Sequence, residues 1–224
     1  GEYVRAGLAP APARGNAVMR LIRLAGGEEG WLALLHAAVV TRGSHTFLLT
    51  GPGGSGKTTL AAALIARGFR LVAEDTAPLD REGRVHPLPF RLSLKAGSWP
   101  LVHRFGIATR GLRRHALDPR ALVYAPLDPR RRAASPVRPT AVLSLARGRG
   151  EAAGIRPLSP LEALAHFLDE ASFIDFAAAE ALDFLRRFEA LPAFRLTYDD
   201  AVEAAGLLES VAPALPVAGG PDGA

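Results

Sequence analysis

The chain of 224 residues contains no cysteine, which excludes disulfides, thiol nucleophiles and cysteine-ligated zinc. Its six histidines are scattered, and none falls in the H-E-x-x-H spacing of a zinc hydrolase. Long apolar runs are missing too. Each is broken by Arg, Gly or Pro well short of the ~20 residues a membrane-spanning helix needs. The first residues show no basic-then-apolar leader pattern, so the expectation is a cytoplasmic protein with no membrane partner. Lysine is almost absent: of 27 basic residues, only Lys57 and Lys95 are lysines. An ammonium is a compact point charge and a guanidinium is a planar fork, so a site that needs the first cannot accept the second. Those two positions therefore become candidates.

What is present is a chain 49% hydrophobic with a net charge of +5, enough for one large domain with a sizeable core. Residues 1–16 read as an N-terminal arm, 17–212 as one folded domain and 213–224 as a flexible Pro/Gly/Ala tail. Within the domain, "VMRLIRLA" (18–25) alternates as a strand does. Trp31, Leu34, Leu35 and Ala38 fall at helical spacing and predict a helix over 30–41. "HTFLLT" (45–50) predicts a buried strand, Thr58 to Arg67 a helix stopped by Gly68, and "FRLVAE" (69–74) a second buried strand. "APLD" and "RVHPLPF" flank the turn "REG" as a hairpin. The segment 96–138 is rich in Arg, Pro and Gly and weakly periodic. Beyond it come a strand at 139–146, helices at 160–170 and 175–190, a strand at 194–198, and a helix capped by Asp199 that runs to about Ser210. The order predicts an α/β fold with a mixed sheet and flanking helices.

One stretch carries chemistry. Gly51-Pro-Gly53-Gly54-Ser55-Gly56-Lys57-Thr58 matches G-x-x-x-x-G-K-[ST], after an apolar strand and at the opening of a helix. The glycines let the N–H groups of residues 53–58 curl around phosphate oxygens, and the helix N-terminus adds its partial positive charge. Lys57 reaches the β- and γ-phosphates, the Thr58 hydroxyl suits Mg²⁺, and Thr59 completes the candidate nucleotide set. The ligand implied is a nucleoside triphosphate, taken as ATP.

Glu74 and Asp75 end the strand after the P-loop helix, at the edge where α/β sheets bind ligands. Two tasks there need carboxylates: holding Mg²⁺ and accepting the proton of an attacking hydroxyl. The spacing leaves open which residue does which. Neither the N-K-x-D guanine motif nor the L-S-G-G-Q transporter signature occurs.

The segment from Leu34 to Leu79, with its His36, P-loop and "G-F-R-L-V-A-E-D" strand, resembles the catalytic domain of the HPr kinase/phosphorylase family and its HPr-kinase-related branch. "RLSLKAGSW" (91–99), with Lys95, resembles a segment of that branch. The resemblance implies a fold like that of phosphoenolpyruvate carboxykinase. It also implies MgATP as donor and a serine hydroxyl of a protein or peptide as acceptor, including precursor peptides of lasso peptide clusters. By the same resemblance Glu74 stands at the base position, Asp75 at the metal-associated position and His36 beside the pair, and the protein is a homo-oligomer. The chain departs from the family pattern in having Glu74-Asp75 for Asp-Asp and Thr58 for the commoner Ser. It also has no copy of the glycine-rich signature "G-x-R-G-x-G-I".

Arg104, Arg110, Arg113 and Arg114, with "DPR" (118–120) and "DPRRR" (128–132), are candidates to clamp the γ-phosphate or an acidic acceptor. They are not interleaved with aromatics and match no nucleic-acid motif, so nucleic acid is not an expected partner. Two other readings stand beside the serine kinase: a P-loop small-molecule kinase, and a nucleotide-binding regulatory module with weak catalysis.

Overall fold

In the computed structural model, which describes residues 20–26, 30–117, 120–148, 150, 152–174, 185–186 and 188–215, the strand and helix boundaries follow the glycine turns. The first strands are β1 (Ala33–Leu35), β2 (Ala38–Arg42) and β3 (His45–Thr50). The P-loop follows, then helix α1 (Lys57–Ala66), β4 (Arg70–Ala73) and β5 (Ala77–Leu79). Next come β6 (Leu92–Lys95), a short helix α2 (Trp99–Arg104), β7 (His115–Leu117) and β8 (Arg120–Ala125). The last third holds β9 (Ala141–Arg147), β10 (Gly154–Pro157), α3 (Pro160–Glu170), β11 (Ala171–Ile174), β12 (Ala193–Tyr198) and α4 (Ala201–Val211). Among the described residues no helix is long and apolar enough to cross a membrane.

The central sheet has six strands in the order β10-β12-β9-β3-β2-β4. β3, β9 and β12 are mutually parallel. β2 runs antiparallel between β3 and β4, so β4 points the same way as β3. The sheet is therefore mixed, and the C-terminal ends of β3, β4, β9 and β12 open on one edge. Side chains alternate across it. Val40, Phe47, Leu49, Leu143 and Leu196 face α1, α4 and the small sheet β6-β8-β7, while Val39, Leu48 and Val142 face β1, β5 and α3. α1 has an apolar run from Leu60 to Ile65 and is buried along it, as a helix held between the sheet and α4 must be.

Several expectations are corrected. Residues 20–25 are helical, not a strand: Ile22 is buried while Leu21 and Leu24 are exposed, so the segment presents one apolar face. The expected helix over 30–41 is instead β1 and β2. Trp31–Leu35 and Ala37–Val40 are buried on both faces, so apolar spacing could not separate helix from strand. The run Val39-Val40-Thr41 is β-branched, which suits a strand. The weakly periodic middle holds β7 and β8, which pair with β6 in a three-stranded sheet. α4 is capped by Asp200, not Asp199; its Oδ1 accepts from the N–H groups of Val202 at 2.6 Å and Glu203 at 3.0 Å. The hairpin at "REG" is present, with Leu79 and Val85 bridged antiparallel. Residues 212–214 form a 3-10 turn, and Leu215 packs on the core. The arm 1–16, most of the helix expected at 175–190 and the tail from 216 lie outside the described residues.

Candidate active site

A cleft of about 340 Å³ opens at the sheet edge where β3, β4, β9 and β12 end. Its floor is the P-loop. Gly54 and Gly56 have φ of 93° and 96°, left-handed values that favour glycine. Gly56 is also the N-cap of α1 and supplies no side-chain cap, so the first-turn N–H groups are left for an anion. Tyr198 supports the loop from below, its buried hydroxyl donating to the Ser55 carbonyl at 2.9 Å. A Cβ on Gly56 would lie 2.6 Å from that hydroxyl, so the site requires glycine there. Burial pushes the Tyr198 phenol up to about 12, so it stays a donor at every working pH.

Gly53, Gly54, Gly56, Lys57, Thr58 and Thr59 line the cleft. Gly51 and Ser55 lie beneath it, and the Ser55 N–H is already given to the Pro52 carbonyl at 3.0 Å, so this amide is not one of the free donors. Lys57 folds back and donates to the carbonyls of Gly51 and Pro52.

The acidic pair splits. Glu74 is buried: its Oε1 accepts from the Thr58 hydroxyl at 2.5 Å and its Oε2 from the Ser93 N–H at 3.3 Å. Burial pushes its carboxyl up to about 7, with the Thr58 bond pulling the other way and the charge of Asp75 adding to the rise. Asp75 is exposed and turns the other way. It has φ 66°, and among the described residues it is the only non-glycine in the left-handed region. Asp tolerates that conformation better than most residues. The turn lets consecutive residues both line the cleft, which an extended strand would not permit. His36, in the connection between β1 and β2, donates from Nδ1 to the Asp75 carbonyl at 3.1 Å and lies 3.5 Å from its Oδ1.

Lys95 ends β6 and lines the cleft with Gly97, Ser98 and Leu101. Lys95 and the nine other candidate positions in the cleft are joined by further polar residues that sequence reasoning did not place there: Ser93, Arg147, Asp199 and Asp200. Arg147 and Asp199 had a legible signal, since one ends and the other follows an apolar strand at the ligand-binding edge. The arginines of 104–132 took their place as candidates, and none of Arg104, Arg110, Arg113, Arg114 or Arg130–132 lines the cleft. Several of these hold local structure instead. Arg131 donates to the Phe105 carbonyl at 3.1 Å, Arg132 to that of Leu88 at 3.2 Å, and Arg114 lies 5.1 Å over the Trp99 ring.

Among the described residues no three His, Asp or Glu side chains gather as a metal cage. Mg²⁺ rarely needs one; it takes one or two protein oxygens and completes its shell with phosphate and water. The adjacent Thr58 hydroxyl and Glu74 carboxylate are hard oxygen donors of that kind, so the residues fit the ion. Asp75, the metal donor implied by resemblance, has His36 as its partner rather than Thr58.

No family model matches the chain, and no curated protein matches it. Among solved structures it is similar to the Hpr(Ser) kinase/phosphatase from Coxiella burnetii, with 15% identity over 81% of this chain and 94% of that one, at a TM-score of 0.34. A likeness that loose carries nothing about the site, whose chemistry rests on its own geometry.

Proposed function

We propose that the chain is a Mg²⁺-dependent P-loop kinase that transfers the γ-phosphoryl group of ATP to a serine hydroxyl of a peptide or protein. One observation carries the reading: a phosphate-binding loop, a hydroxyl–carboxylate pair suited to Mg²⁺ and a second, exposed carboxylate share one cleft. The motif resemblance supports the serine acceptor.

The roles follow from the contacts. The open N-terminus of α1 and the N–H groups of the glycine loop bind the phosphates. Lys57 exchanges its carbonyl partners for the β- and γ-oxygens and offsets their charge. Thr58 and Glu74 would hold Mg²⁺, which when bound neutralises charge on the transferring group. Asp75 stands at the mouth, oriented by His36, and receives the proton of the attacking hydroxyl. Lys95 faces the same end as a cation for the departing or arriving charge. This assignment gives Glu74 to the metal and Asp75 to the proton, the reverse of the arrangement implied by resemblance.

The test is phosphoryl transfer by Glu74→Gln and Asp75→Asn beside wild type. Loss of Mg²⁺ affinity in the first, and loss of turnover with MgATP binding retained in the second, are expected. Full activity in both variants would sink the proposal.

A further inference from the structure

The cleft has two walls of unequal height. β3 gives way to the P-loop at Thr50, which is level with Ser144 of β9. β9 and its neighbour β12 continue three residues further, to the paired Arg147 and Tyr198, which is about 10 Å of strand beyond the floor. On the opposite flank β4 ends at Ala73, level with Val39 and hence with Leu48, below the floor. The low wall carries Thr58, Glu74 and Asp75, so the γ-phosphate and acceptor belong there. The tall wall carries Arg147, Asp199 and Asp200 into the same cleft, and the chemistry of transfer uses none of them.

We propose that the tall wall is the nucleoside subsite: the ribose hydroxyls donate to the Asp199 carboxylate, and the base lies against the Arg147 guanidinium. This rests on the nucleotide-binding reading above. The two residues are fixed for it. Arg147 lies 5.6 Å over the Tyr198 ring and donates from Nη1 to the Asp199 carbonyl at 2.7 Å. Asp199 Oδ2 accepts from the Gly150 N–H at 3.2 Å, which orients the carboxylate. Both side chains are exposed at the rim. Asp200 is the weaker ribose acceptor, because its Oδ1 takes two N–H bonds that tie its carboxylate to the start of α4. A carboxylate suits a vicinal diol as acceptor, and a planar guanidinium suits a stacked aromatic base.

The experiment is calorimetric titration with Mg²⁺ and three probes: ATP, 2′,3′-dideoxy-ATP and inorganic tripolyphosphate. Wild type, Asp199→Ala and Asp199→Asn are compared, with thermal melts to confirm folding; Asn keeps an acceptor for the Gly150 N–H. Wild type is expected to bind ATP about tenfold more tightly than the dideoxy analogue, the worth of hydrogen bonds to a charged acceptor. Asp199→Ala is expected to lose that preference while its tripolyphosphate affinity stays within twofold, and Asp199→Asn to keep part of it. Wild type that binds ATP but does not distinguish the dideoxy analogue overturns this inference and leaves the kinase reading standing. So does a variant that loses ATP and tripolyphosphate equally. Failure of wild type to bind either ATP or tripolyphosphate overturns both.

Discussion

Thr58 and Glu74, the bonded pair of the low wall, are 16 residues apart in sequence, and Asp75 follows at once. Arg147 and Asp199, the bonded pair of the tall wall, are 52 residues apart. The first wall is one continuous strand–loop–helix–strand unit, and its chemistry is written in a local motif. The second is made by two parallel strands whose register alone brings their ends level. A short motif can announce the first, whereas only topology can announce the second. The two also differ in electrostatics. The low wall buries a carboxylate at Glu74, and the tall wall keeps Asp199 exposed to water.

The sharpest break of this comparison is at the floor between the walls. Lys57→Ala is expected to lower turnover by about a thousandfold, the scale of removing a charge aimed at the transferring group. Lys57→Arg is expected to rescue little, because the fork cannot take the place of a point charge in the glycine cradle. Steady-state phosphoryl transfer measures both. On the low wall, Asp75→Asn is expected to cost about a hundredfold in kcat with little change in MgATP affinity, the scale of one general base. Asn also tolerates the left-handed turn, so that variant separates the charge from the backbone.

Glu74 gives the low wall a pH signature. Its carboxyl is raised from 4.5 to about 7 in the folded chain, so the fold binds this proton more tightly than the unfolded chain does. The resulting stability is fully present below pH 4.5 and is lost as pH rises through about 7, a swing of about 3 kcal/mol. Urea unfolding at pH 5 and pH 8 should show wild type losing stability relative to Glu74→Gln across that window. Bound Mg²⁺ should reduce the loss by favouring the ionised form. An equal pH slope in wild type and variant would remove the buried-carboxyl account. The smallest effect belongs under the floor: Tyr198→Phe removes one hydrogen bond to the Ser55 carbonyl and is expected to cost about 1 kcal/mol in thermal or urea unfolding.

The same contrast explains what could be read in advance. The strand at 45–50, the helix after the P-loop and the strand from 69 were legible because turn glycines punctuate them and their apolar runs are short. The segment 30–41 was not, because its residues are buried on every side and apolar spacing loses meaning there. The arginines of 96–138 drew attention as phosphate clamps. Arg131 and Arg132 are instead bonded to backbone carbonyls, a use that composition cannot distinguish from ligand binding. Glu74 and Asp75 were legible as a pair, but their division was not. It depends on the positive φ at Asp75, which sends one carboxylate to Thr58 and leaves the other beside His36.

The most direct measurement of the central claim is intact-mass spectrometry of peptides and small proteins encoded beside this gene, after incubation with the protein and MgATP. The account predicts the mass of one added phosphate, located on serine by fragmentation, absent with Lys57→Ala and strongly reduced with Asp75→Asn. No phosphorylated peptide or protein from a chain shown to bind MgATP, with turnover instead on a small metabolite or none at all, would contradict it.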